Sequence, residues 1–239
     1  MQKILGNMRK AIEEFEMIEE GDKIAVAFSG GKDSTTLLMG LKKLQRFYPK
    51  KFGLVAISVN PGFDFFDTSV LQKTCESLDV PFIEATSHIK EIVFDIRKEK
   101  NPCSLCANLR RGILNSYAIE NGCNKIALGH TEDDVLETFL LDLFYGGSIH
   151  TFSPKSYMDR SNITLIRPLI YTSEKYIRNF IKKSEIKIMP KACPMDGYSK
   201  REEMKDLLVC LQKDIPRVRS NLYGAIKRSN ITGWSKKKE

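Results

Sequence analysis

The stretch "FSGGKDST", residues 28–35, constrains this chain more than any other. It follows the apolar run "KIAVAF" (23–28) and precedes a segment with Leu37, Leu38, Leu41 and Leu44 on one helical stripe. A strand that turns through two glycines into a helix start presents backbone N–H groups and a positive helix end to an anion. Gly30 and Gly31 let the backbone approach a phosphate, and Asp33 can orient a metal or cap the helix. The common nucleotide loops do not fit. GxxxxGK[ST] fails because Val26 stands at its first glycine and Asp33 follows Lys32, and GxGxxG is absent.

The rest of the chain repeats this strand-to-helix rhythm. Apolar runs at 23–28, 53–59, 81–86, 125–130 and 163–170 alternate with segments of helical period. That pattern predicts an α/β fold, a Rossmann-like parallel sheet with helices on both faces, whose ligand loops sit at the carboxyl ends of the strands. Residues 146–162 read as an extended loop. The organisation expected is an N-terminal helical segment (1–20), a main domain (21–190) and a small basic helical C-terminal appendage (191–239). At 239 residues, one main core is expected. With 38 Lys+Arg against 30 Asp+Glu, the formal charge of +8 favours a polyanionic partner where the excess gathers on one face. No apolar run approaches the roughly 20 residues needed to span a bilayer, so no membrane association is expected. The glutamates at 13, 14 and 16 interrupt any secretory pattern at the N-terminus, which makes the cytoplasm the expected compartment.

A second junction, "LGHTEDDVLET" (128–138), also crosses from a strand into a helix and should lie on the same rim as the glycine loop. It supplies Gly129, His130, Asp133 and Asp134. Paired carboxylates at a helix start also favour the helix dipole without any chemistry. In "NPCSLCANLRRGIL" (101–114), Cys103 and Cys106 are three apart ahead of a helical run, so both thiols can face one point. A redox pair, half a zinc site and part of an iron-sulfur site all fit that spacing. Cys193 lies in a Pro- and Gly-containing turn that suits a ligand, whereas Cys75, Cys123 and Cys210 read as filler.

The pattern SGGxDS resembles the pyrophosphate-binding loop of the PP-loop ATP pyrophosphatase superfamily, whose fold is the adenine nucleotide alpha hydrolase-like sheet. That resemblance implies ATP and Mg2+, bound by Ser29, Gly30, Gly31, Lys32, Asp33 and Ser34 with Gly129 and His130 nearby. Lys32, Asp33 and Asp133 are then the expected catalytic residues. Together, "MIEEGDKIAVAFSGGKDS", "PCSLCANLRRGIL", "KIALGHTEDD" and "FYGG" are similar, in this order, to the tRNA 2-thiocytidine-forming enzymes.

Membership in that family implies ATP-dependent sulfur insertion into a cytidine of the tRNA anticodon loop. It also implies a 4Fe-4S cluster on Cys103, Cys106 and Cys193, with one iron left open for an exchangeable sulfide. The chain reads "KACPMDG" around Cys193, where many relatives carry a second CxxC. Implied partners are tRNA, a sulfide donor or cysteine desulfurase, and a second copy in a homodimer. Candidate RNA-phosphate contacts are Arg110, Arg111 and Arg167, with Lys200, Arg201, Lys227 and Arg228 in the appendage. Two other readings compete: adenylation followed by addition of an amine, and a zinc-stabilised RNA-binding module without turnover.

Overall fold

The computed structural model describes residues 1–63, 66–97, 102–184, 186–189 and 200–234. In chain order the elements are α1 (Gln2–Glu14), β1 (Asp22–Ala27), α2 (Lys32–Leu44), β2 (Phe52–Asn60), α3 (Ser69–Ser77) and β3 (Phe82–Thr86). A π-helical turn at Glu91–Ile96 leads to α4 (Pro102–Glu120), β4 (Lys125–Ala127), α5 (Glu132–Phe144), β5 (Lys155–Met158) and β6 (Ile163–Ile166). Three helices follow: α6 (Glu174–Lys183), α7 (Lys200–Asp214) and α8 (Val218–Arg228).

The strands form one sheet in the order β3-β2-β1-β4-β6-β5. Every pairing is parallel except β5 against β6. Strands covered on both faces need apolar residues at successive positions, as in Ile24, Ala25 and Val26 of β1, all fully buried. Alternate side chains serve opposite layers. Ala25, Val55, Ile57 and Ile126 pack with Leu114 and Ala118 of α4 on one face. Ile24, Val26, Leu54, Ala56 and Ala127 join α1, α2, α5 and α6 on the other. The expected α/β sheet with helices on both faces is therefore present.

Met204 and Leu208 of α7 and Tyr223 and Ile226 of α8 belong to that second core. The apolar side of the C-terminal segment is thus buried in the same layer as α2, and Trp234 beyond it stacks edge-on against Phe15 after α1.

One expectation is corrected. Residues 146–162 are not loop throughout, because Lys155–Met158 forms an antiparallel edge strand on β6, with Ser156 opposite Leu165. An edge strand with one neighbour can be half polar, so "KSYM" carries no apolar run. Its sign is the turn that follows, where Asn162 adopts a left-handed φ of 51°. Similarly, 128–130 and 167–170 lie beyond the ends of β4 and β6 rather than inside them.

Candidate active site

The strand order reverses direction between β1 and β4, since one neighbour of β1 is reached directly and the other only after β3 has been laid down. The loops leaving the carboxyl ends of these two strands must diverge, and the crevice between them is where open α/β sheets bind ligands. Both sequence motifs leave there. Gly129 packs so tightly on the glycine loop that a Cβ on it would lie 3.2 Å from the Ser34 nitrogen and 3.3 Å from the Asp33 carbonyl carbon.

The glycine loop is fixed mainly by its own backbone and hydroxyls. Gly30 takes a φ of 74°, and a Cβ there would drive into Leu71 and come within 2.8 Å of the Met189 Cβ. The Met189 N–H donates to the Gly30 carbonyl at 3.0 Å, so the segment before residue 190 holds the turn from outside. Ser34 Oγ donates to the Gly31 carbonyl at 3.0 Å and lies 3.1 Å from Ser29 Oγ. Gly31 is the N-cap of α2, so the first N–H groups of that helix have no intrahelical partner and face the crevice side of the loop.

Lys32 and Asp33 form an ion pair of 2.7 Å, and Lys32 Nζ also meets Glu174 Oε1 of α6 at 2.9 Å. Burial pulls the Lys32 ammonium down, but its two carboxylate partners outweigh that and hold it above its ordinary value. Burial pushes the Asp33 carboxyl up against the opposing pull of Lys32, with Asp134 and Glu174 adding to the rise. Asp33 Oδ1 is buried without a protein partner. A carboxylate oxygen in that state suits a hard cation, so the residues fit a triphosphate with its Mg2+.

On the opposite rim Thr131 caps α5. Its hydroxyl and N–H both donate to Asp134 Oδ2 at 2.8 Å, and it accepts from the Asp134 N–H. Asp134 Oδ1 then reaches Arg201 of α7 at 3.4 Å. Asp133 points elsewhere: one oxygen accepts from the Glu174 N–H at 2.6 Å and the other pairs with Arg219 of α8 at 2.6 Å. Both of its oxygens thus tie α5 to α6 and α8, which makes Asp133 a brace of the rim.

Deeper in α5, burial and the nearby Asp134 push Glu137 up to about 7. His130 lies on Phe152 at 4.8 Å and accepts at Nδ1 from Arg167 Nε at 3.2 Å. Burial, together with Arg167, Arg201 and Arg111, pushes its imidazole down to about 4 despite Asp134. At neutral pH it is an uncharged hydrogen-bonding ring.

Between α4 and the strand ends lies a cavity of about 460 Å³, walled by Phe28, Ile57, Val59 and Leu128 and bordered by Ser29 and His130. It is large enough for a nucleoside. Arg110, Arg111 and Asn115 of α4 line it too, and Arg110 Nε and Asn115 Oδ1 are buried without partners in the protein. Polar side chains in the wall of an apolar cavity, two of them with an unpartnered buried atom, suit a ligand that carries hydrogen-bonding groups.

Arg167, expected as an RNA-phosphate contact, is instead buried, with its guanidinium spent on His130 and on the Ser153 carbonyl at 2.6 Å. Lys200, Arg201 and Lys227 are likewise engaged, with Glu203, Asp134 and Glu14.

Cys103 and Cys106 occupy the first two turns of α4, which opens on Pro102, a residue suited to that position by its fixed φ and missing N–H. Their spacing puts both on one face. Cys103 is exposed and Cys106 half-buried, and both are free thiols. Ala107, next in the chain, lines the cavity, so the cysteine turn borders it. Cys193 lies outside the described residues, among which no set of three His, Cys, Asp or Glu side chains converges as a metal site. Two free thiols on one face near a helix N-terminus fit a cluster that draws its remaining protein ligand from another segment. Cys75 and Cys123 are buried core thiols.

Sequence reasoning missed Glu174, Arg219 and Asn115. "SE" before an amphipathic run signals a helix start at 174, but nothing linear marks its partner as Lys32.

The family model of the PP-loop domain matches residues 2–202. Two curated proteins called tRNA-cytidine(32) 2-sulfurtransferase are close relatives. That of Syntrophotalea carbinolica is 42% identical over 220 residues, covering 91% of this chain and 85% of its own. That of Geobacter metallireducens is 39% identical over 233 residues, covering 94% and 89%. Among solved structures, the U34-tRNA thiolase NcsA from Methanococcus maripaludis, determined with its 4Fe-4S cluster, superposes with a TM-score of 0.75. It is 25% identical, over 92% of this chain and 76% of that one. An NH3-dependent NAD synthetase from Campylobacter jejuni shares the fold alone, at a TM-score of 0.50 and 15% identity, over 93% of this chain and 90% of that one. A sheet with its glycine loop at the β1/β4 switch point, a facing GHxxDD turn and relatives matched along nearly their whole length lead to one assignment: the chain belongs to the PP-loop family, in the group of the tRNA-cytidine(32) 2-sulfurtransferases.

Proposed function

We propose that this protein replaces the 2-oxygen of a cytidine in the tRNA anticodon loop by sulfur, consuming ATP and releasing AMP and pyrophosphate. The observation that supports the reading is the meeting of three features on one cavity: the glycine loop, the GHxxDD turn and the helix α4 whose start carries the two cysteines.

A carbonyl oxygen is a poor leaving group. Attack of cytidine O2 on the α-phosphorus, with loss of pyrophosphate, converts it to an adenylate. Addition of sulfide at C2 then expels AMP, so one oxygen leaves with the phosphate as one sulfur enters. Lys32 and the N-terminus of α2 stabilise the charge that gathers on pyrophosphate. Asp33, with its unpaired oxygen, positions Mg2+. His130, uncharged and held by Arg167, offers a neutral ring at the cavity edge. Arg110 and Arg111 bring positive charge to the wall facing the incoming RNA. A 4Fe-4S cluster on Cys103, Cys106 and Cys193 supplies an iron able to bind sulfur. Sulfide, free or from a cysteine desulfurase, is the donor in this reading. No described helix is long and apolar enough to cross a membrane, and the cytoplasm, where tRNA is found, is the proposed site of action.

The test is nucleoside mass spectrometry of tRNA incubated anaerobically with cluster-reconstituted protein, ATP, Mg2+ and sulfide. ATP-dependent 2-thiocytidine is expected. ATP and cluster bound without that product would overturn the reading, and ATP-dependent incorporation of an amine would replace it.

A further inference from the structure

Of the groups around the glycine loop, Lys32 depends on a partner that the loop does not supply. Its Nζ lies between Asp33 Oδ2 at 2.7 Å and Glu174 Oε1 at 2.9 Å. Glu174 belongs to the first turn of α6, 142 residues further along the chain by its number, and is itself held on every side. Its N–H donates to Asp133 Oδ2 at 2.6 Å. Its other oxygen faces Arg178 at 3.0 Å and Lys205 of α7 at 3.7 Å, and its side chain is only 16% exposed.

We propose that Glu174 is a positioning residue for the nucleotide phosphates, fixing the Lys32 ammonium over the N-terminus of α2. The proposal rests on the reading of the glycine loop as a phosphate site. An ammonium has three protons on a flexible four-carbon stem. With Asp33 as its one acceptor, the adjacent residue would draw it down against the helix. A second carboxylate, held on the neighbouring helix α6, takes a second proton and leaves the third for an anion. Arg178 and Lys205 offset the charge that Glu174 brings, so the carboxylate guides Lys32 without making the neighbourhood repel phosphate. Through the Asp133 bond, the position of Glu174 is also set by the GHxxDD turn, which links the two motifs physically.

The rival account makes Glu174 a mere clip between α6, α2 and α7. The two differ in whether its effect passes through Lys32. Mg-ATP affinity, measured by calorimetry without tRNA, is to be compared for Glu174→Gln in the native and Lys32→Ala backgrounds. Loss of one hydrogen bond to a charged group predicts about tenfold weaker binding in the native background. In the Lys32→Ala background the same change should alter affinity by less than about twofold, because the interaction it serves is gone.

Equal losses in both backgrounds, or none in the native one, would overturn the proposal. Should the Glu174→Gln chain not fold, Glu174→Asp keeps the charge and withdraws the carboxylate by one methylene, and the same comparison applies. Failure of the unmutated protein to bind Mg-ATP would remove the phosphate site and this proposal with it. Normal binding without 2-thiocytidine formation would instead count against sulfur transfer alone.

Discussion

The glycine loop and the cysteine turn border the same cavity, yet they are built in opposite ways. Around Gly30 the backbone is wedged against Leu71 and Met189, the hydroxyls of Ser29 and Ser34 meet, and Lys32 is gripped by two carboxylates. At the start of α4, Cys103 stands in solvent and Cys106 is only half covered. The fold itself builds the phosphate side, whereas the cysteine side presents its thiols outward from a helix that is already formed. Pre-formed dipoles need no reorganisation when charge develops on pyrophosphate, while a thiolate site must stay reachable for its cofactor and for sulfur.

The largest effect that would break this contrast is on activity. Cys103→Ala should eliminate 2-thiocytidine formation while changing unfolding stability by no more than about 0.5 kcal/mol, because an exposed side chain is being trimmed. Mass spectrometry and thermal melting of the same preparation check both halves. A large loss of stability would mean that the cysteine turn is as structural as the glycine loop.

Gly30→Ala tests the other side. The positive φ and the collision with Leu71 and Met189 should together cost about 2–4 kcal/mol, read from denaturant midpoints. Tolerance of alanine would show that the loop is pliable.

The smallest expected effect sharpens the comparison through charge. Glu137 is buried beside Asp134 and its carboxyl is pushed up to about 7. Its ionisation therefore opposes folding fully above pH 7, less as pH falls, and not at all below the ordinary carboxyl range near 4.5. Glu137→Gln should raise stability by about 1–2 kcal/mol at pH 8 and leave it unchanged at pH 4.5. Melting curves at the two pH values give the answer, and equal shifts at both would refute the linkage.

The phosphate side was legible in the sequence because its parts are local. Glycine spacing, a preceding apolar run and a following helical stripe all lie between residues 23 and 44, and the GHxxDD turn is similarly local. What stayed hidden is the pairing between segments. Nothing near Asp133 marks Glu174 or Arg219 as its partners, and nothing near Arg167 says that it turns inward to His130. The strand β5 escaped for another reason, since an edge position relaxes the apolar pattern that marks a strand. Cys103 and Cys106 could be placed on one face from their spacing, while the proposal of Cys193 as a companion rests on its Pro- and Gly-containing turn and on the resemblance.

The reversal of strand order between β1 and β4 also governs when a newly made chain can first hold its nucleotide. Gly30 leaves the ribosome about a hundred residues before Gly129, and the wall that Gly129 presses against the loop exists only after β4 has inserted beside β1. Closing so long an intervening segment costs little more than closing half of it, since the entropy grows with the logarithm of length. ATP that binds only the finished crevice lowers the free energy of that arrangement and of no earlier one. The substrate thereby acts as an inspector of synthesis, favouring chains in which β4 has found its place beside β1.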